Sequence, residues 1–78
     1  MFSIRVHPAN HPGHSMHECR EYEIVPNGPV VVIRMRDGEG TRDIELTDGG
    51  LAFIMGDSGK TVEVVRSRPV RPAQLRGA

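Results

Sequence analysis

The sequence predicts an all-β domain, a small five- or six-stranded antiparallel barrel or sandwich with hairpin (meander) connections. Three observations predict it. Apolar and polar residues alternate with period two in several short runs. Turns bearing Gly or Pro separate these runs at intervals of about ten residues. No window sustains a 3.6-residue apolar period before Gly or Pro interrupts it.

Taken in order, "FSIRV" sets Phe2, Ile4 and Val6 on one side and Ser3 and Arg5 on the other. A loop rich in His and Pro follows, at 7–18. "CREYEIV" alternates again, with Tyr22 and Ile24 facing one way and Cys19, Glu21 and Glu23 the other. "PNGP" is a turn, because Asn27-Gly28 accepts positive φ. "VVVIRMR" is the most strand-like run, with Val31, Ile33 and Met35 inward. "DGEG" closes a hairpin onto "TRDIELT", which turns Ile44 and Leu46 inward. "DGG" breaks the chain at Asp48–Gly50, "LAFIM" reads as a short strand, and "GDSG" turns into "TVEVVR", with Val62 and Val64 inward. The expected core is Phe2, Ile4, Tyr22, Ile24, Val31, Ile33, Ile44, Leu46, Phe53, Val62 and Val64. The expected organisation is one β domain over 1–66 and a flexible Pro/Arg-rich tail over 67–78, where "PVRP" matches the PxxP pattern of polyproline ligands.

The composition bounds the function. A chain of 78 residues with two Phe, one Tyr and no Trp builds a thin core, and domains of this size commonly rely on a disulfide, a metal or a partner subunit. A single Cys makes no intramolecular disulfide. A homo-oligomer is therefore expected. Ten basic and ten acidic residues cancel, which argues against a strongly basic nucleic-acid binder. No apolar run approaches the roughly 18 residues of a membrane helix, and no apolar leader follows Met1, so a cytoplasmic protein without membrane contact is expected.

Two apparent motifs fail on chemistry. "GDSGKT" ends like a phosphate-binding loop, but only Asp57 and Ser58 separate its first Gly from the Gly-Lys pair, and "VEVV" favours a strand where that loop needs a helix. "DGEGTRD" carries alternating carboxylates without the Gly and the distal Glu that complete a calcium loop.

The densest chemistry lies in "HPANHPGHSMHEC", which holds all four His and the one Cys. Zinc takes imidazole and thiolate ligands in a tetrahedral array. His17 and Cys19, two residues apart on a strand, would share a face, with His7 and His14 completing the set. No standard finger spacing is met, so zinc is the alternative and no cofactor is the primary expectation. A Cys–His nucleophile requires an imidazole within hydrogen-bond reach of the sulfur and a third group that orients it; no such roles can be assigned, and no enzyme is expected. Arg34 and Arg36 alternate on one face of the best strand, with Arg5 as a candidate addition and Asp43 or Glu45 as candidate cross-strand carboxylates. With Arg68 and Arg71 of the tail they form the candidate partner-binding set.

These features favour a non-catalytic interaction module, an oligomeric accessory protein that acts by binding a partner protein. Small motif-free β proteins of phages and mobile elements, some of which inhibit host enzymes, offer an analogy of size and style. A zinc-stapled domain and a small nucleic-acid or nucleotide binder are the alternatives, the last weakened by the few aromatics available for stacking.

Overall fold

The computed structural model describes residues 1–68, and every regular element in it is a strand. Seven strands form: β1 (Phe2–His7), β2 (Ser15–Cys19), β3 (Glu21–Asn27), β4 (Val30–Asp37), β5 (Gly40–Leu46), β6 (Leu51–Met55) and β7 (Thr61–Arg66). They make two antiparallel sheets, one of four strands in the order β2-β1-β6-β7 and one of three in the order β3-β4-β5. Neither sheet closes into a barrel.

The expected five or six strands become seven because the second half of the His loop is itself a strand. "SMHEC" lacks the β-branched alternation that marks a strand in sequence, yet it pairs with β1 from Phe2↔Cys19 to Val6↔Ser15. The run "CREYEIV" is then cut at Arg20, whose amide donates to the carbonyl of Arg36 at 2.9 Å. That break resets the alternation. Cys19 ends β2 facing the core, 1% exposed, instead of sharing a face with Glu21 and Glu23. The meander is also interrupted. β3-β4-β5 is a true meander, but the chain leaves β5 and enters the other sheet, where β6 pairs with β1. The crossing is made at Asp48 and Gly49, whose φ values of 56° and 90° are both left-handed, a conformation that Gly and Asp adopt most readily.

One core joins both sheets: Ile4, Val6, Cys19, Ala52, Ile54 and Val65 from the four-stranded sheet meet Ile33, Met35 and Leu46 from the three-stranded one. Phe2, Tyr22, Ile24, Val31 and Ile44 pack against its margin. Three expected core residues do not belong to it. Phe53 lies on the far side of β6, and Val62 and Val64 are 55% and 54% exposed. Both faces of "LAFIM" and of "TVEVV" are apolar, so alternation cannot choose between them. Pairing does, with Ala52↔Val65 inward and Phe53↔Val64 outward, and a register shift at Ile54/Met55 adjusts the rest.

Ties at the margins hold the sheets together. The Tyr22 hydroxyl donates to Glu63 at 2.7 Å, and the Tyr22 ring meets Phe2 edge-on at 5.0 Å. Arg42 donates to the carbonyl of Glu18 at 2.9 Å. The body of the domain extends past the expected boundary at 66. Ser67 is 1% exposed; its amide donates to Gly50 O and its hydroxyl accepts from the Gly49 amide, both at 3.0 Å. The Arg68 amide donates to Pro29 O. The remainder of the expected tail lies outside the described residues.

The register of β7 is directly testable. Val65→Asp places an unpaired charge in the core, a change on the order of several kcal/mol, and should abolish the β-sheet far-UV spectrum. Val62→Asp, two positions into the same strand, should fold. The opposite pattern would restore the register in which Val62 faces inward.

Candidate interaction face

The outer face of the four-stranded sheet is assembled by register alone. Arg5 stands opposite Met16 on one side and Phe53 on the other, and Phe53 stands opposite Val64. One row, Met16–Arg5–Phe53–Val64, thus crosses all four strands. A second row, His7–Leu51–Arg66, lies beside it, and a third carries Glu18, Ser3 and Met55. Met16 is 52% exposed and Val64 54%. A solvated sheet face is normally polar at these positions; contiguous apolar surface of this kind marks contact sites.

At the centre of the row the Arg5 guanidinium carbon sits 5.5 Å from the Phe53 ring centroid. The His7 ring meets the same Phe53 edge-on at 5.6 Å and lies 5.3 Å from the His14 ring. Arg5 Nε is buried with no hydrogen-bond partner among the described residues. A buried donor left unpaired costs about 1–3 kcal/mol, and here the cation lies over the Phe53 ring, with Met16 as its neighbour on β2.

The outer face of the three-stranded sheet differs in kind. Arg34 lies between Glu23 and Asp43 in the ladder and bonds Asp43 at 3.2 Å. Arg36 pairs with Glu23 at 3.5 Å on this face, whereas Arg42, opposite Met35, bonds Asp37 at 3.2 Å from the other side of the sheet. Arg34 and Arg36 do share a face, as their spacing requires, and it is a mixed-charge ladder whose exposed pairs are each worth about 0–1 kcal/mol. Arg5 does not join them, since β1 belongs to the other sheet. Arg68 is exposed at the end of the described chain, and Arg71 lies outside it.

The proposed metal set is divided: the His7 and His14 rings lie 5.3 Å apart, while His17 and Cys19 face the other way. His17 and Cys19 stand opposite Ile4 and Phe2, on the core side of the β1–β2 hairpin, while His7 follows Arg5 onto the outer face. His17 Nε2 is 3.0 Å from the Ser15 hydroxyl. His14 is exposed in the loop. Among the described residues no three His, Cys, Asp or Glu side chains gather as a metal-binding group. The first half of the loop instead covers a shallow pocket of ≈ 270 Å³ floored by Val6 and Leu46 and rimmed by His11 and Glu45. Asn10 donates to Asp48 at 3.1 Å across its mouth.

The sequence offers Arg5 only as an addition to Arg34 and Arg36, assigns Phe53 and Val64 to the core, and gives Met16 no role. Their signal was present: adjacent strands apolar on both faces belong either to a doubly covered sheet or to one awaiting cover. Among the described residues no helix is long and apolar enough to cross a membrane. Comparison of the chain with protein-family models, curated proteins and solved structures finds no match.

Two titrating groups follow from this packing. Burial pushes the Cys19 thiol above its ordinary 9.0, and burial together with the hydrogen bond to Glu63 pushes Tyr22 from 10.0 up to about 12. Both groups hold protons more tightly folded than unfolded. Their stabilisation is therefore complete below the ordinary values and is lost as pH rises through the folded ones. The urea midpoint should fall as pH rises from 9.0 towards 12, and Tyr22→Phe should remove the upper part of that fall. Cys19 should react with a thiol reagent only after unfolding. A midpoint that climbs over this range, or a thiol that reacts at once in the native protein, would contradict the packing.

Proposed function

We propose that this protein is a non-catalytic interaction module, a two-sheet sandwich that binds a protein surface through the outer face of its four-stranded sheet. The observation that carries the reading is the row Met16–Arg5–Phe53–Val64, an apolar strip with a half-buried arginine at its centre whose Nε has no hydrogen-bond partner among the described residues. Aromatic and Arg anchors surrounded by aliphatic side chains are the composition of protein-binding hot spots.

Two considerations favour a protein over a nucleic acid as the occupant. The face is mainly aliphatic and thioether, with Leu51, Met55, Met16 and Val64 outnumbering its rings. Its cations, Arg5 and Arg66, are few, whereas phosphate backbones are bound by many. A non-catalytic role is supported by the placement of the single thiol, Cys19, in the core and not in a cleft.

A photo-cross-linking residue placed at position 64 tests the reading in cells that express the protein. Discrete adducts are expected from position 64 and none from position 41, on the outer edge of the three-stranded sheet. Equal labelling from both positions, or none from 64, would count against it.

A further inference from the structure

We infer that the occupant of this face is a second copy of the chain, docked about a two-fold axis that sets Arg5 of each copy on Glu18 of the other; the inference rests on the reading of the face as a contact surface. Charge complementarity carries it. Arg34, Arg36 and Arg42 each have a carboxylate at 3.2–3.5 Å. Arg5 has neither a carboxylate nor a hydrogen bond among the described residues; its contact is the Phe53 ring.

Glu18 stands on the same outer face, opposite Ser3 on the edge strand β2. It is exposed, and its carboxylate makes no ion pair among the described residues. Arg5 and Glu18 are diagonal neighbours, about 7–8 Å apart at the backbone, and they do not bond each other. An isologous interface requires just such a patch, because a two-fold axis brings each element of one copy onto its complement in the other. Arg5 and Glu18, on a single face, satisfy each other twice across the axis. A formal net charge of zero leaves no long-range repulsion between copies.

The apolar rows supply the remainder. The row of Met16 and Phe53 in one copy lies against the row of Glu18 and Met55 in the other as the two sheets stack, roughly 10 Å apart in the usual sheet-on-sheet packing. Four strands about 4.8 Å apart and about five residues long span roughly 19 by 17 Å. That plane is about 320 Å² a side, roughly 650 Å² for the pair, below the roughly 1,200 Å² at which stable specific interfaces begin and in the range of weak, transient contacts. The pair is accordingly a weak, reversible dimer with a Kd on the order of 100 µM. It also supplies the subunit support that a thin, disulfide-free core of this length calls for.

Sedimentation of the purified full chain over a range from about 1 to 500 µM reads the association. The wild type should move from the 8.6 kDa monomer towards twice that mass. Arg5→Glu and Glu18→Arg should each weaken the dimer by about tenfold or more, and the double reversal should recover most of the loss. Far-UV spectra confirm that each variant is folded; if Arg5→Glu is not, Glu18→Arg and Val64→Asp, both at exposed positions, carry the test. A wild type that stays monomeric throughout, single reversals without effect, or a double reversal with no recovery would each overturn the inference. The cross-linker at position 64 separates the two claims. Adducts of twice the chain mass support the second copy. Adducts to other proteins alone overturn the second copy and leave the contact face standing.

Discussion

The antiparallel pairing of β1 with β6 is the constraint on which the rest depends. It joins segments far apart in sequence, 2–7 and 51–55, in a register that sets Ile4 opposite Ile54 and Arg5 opposite Phe53. Ile4 and Ile54 are both fully buried. Strand geometry then leaves no choice for their neighbours: with the isoleucines inward, Arg5 and Phe53 must point outward. A slip of one residue would exchange the two faces wholesale, burying Arg5 and exposing the isoleucines. The hairpins on either side inherit this parity. β2 brings Cys19 inward and Met16 outward, and β7 brings Val65 inward and Val64 outward.

The two outer faces resolve their charge differently. On the three-stranded sheet, cross-strand neighbours alternate in sign, and Arg34 finds Asp43 within the molecule. On the four-stranded sheet, Arg5 is flanked by Met16 and Phe53. The ring face and the sulfur offer a cation–π contact and packing, but no acceptor for its donors. The first face is complete in the monomer. The second holds a cation with no carboxylate partner among the described residues, and the proposed contact function is placed there for that reason.

Much of the fold was legible in sequence where only one face of a strand is apolar. "VVVIRMR" and "TRDIELT" placed Ile33, Met35 and Leu46 in the core, predicted the shared face of Arg34 and Arg36, and offered Asp43 as a cross-strand partner. Where both faces are apolar the alternation lost its direction, and Phe53, Val62 and Val64 were assigned to the core while Ala52, Ile54 and Val65 fill it. β2 was illegible for the opposite reason, since Ser15, His17 and Glu18 carry almost no strand signal and long-range pairing with β1 imposes the conformation. The candidate site suffered most. The density of His and Cys at 7–19 drew attention to metal chemistry, whereas the hairpin distributes His7 and Cys19 to opposite sides of a sheet. The proposed contact face is assembled from four strands at once, and no single segment displays it.

The most direct test of the account is a map of backbone amide shifts by two-dimensional NMR across a dilution series of the wild-type protein. Concentration-dependent shifts should concentrate at Met16, Glu18, Arg5, Phe53 and Val64, with the ladder of Glu23, Arg34 and Asp43 unmoved. Shifts centred on that ladder, or amide positions independent of concentration everywhere, would contradict the docking of a second copy on the open face.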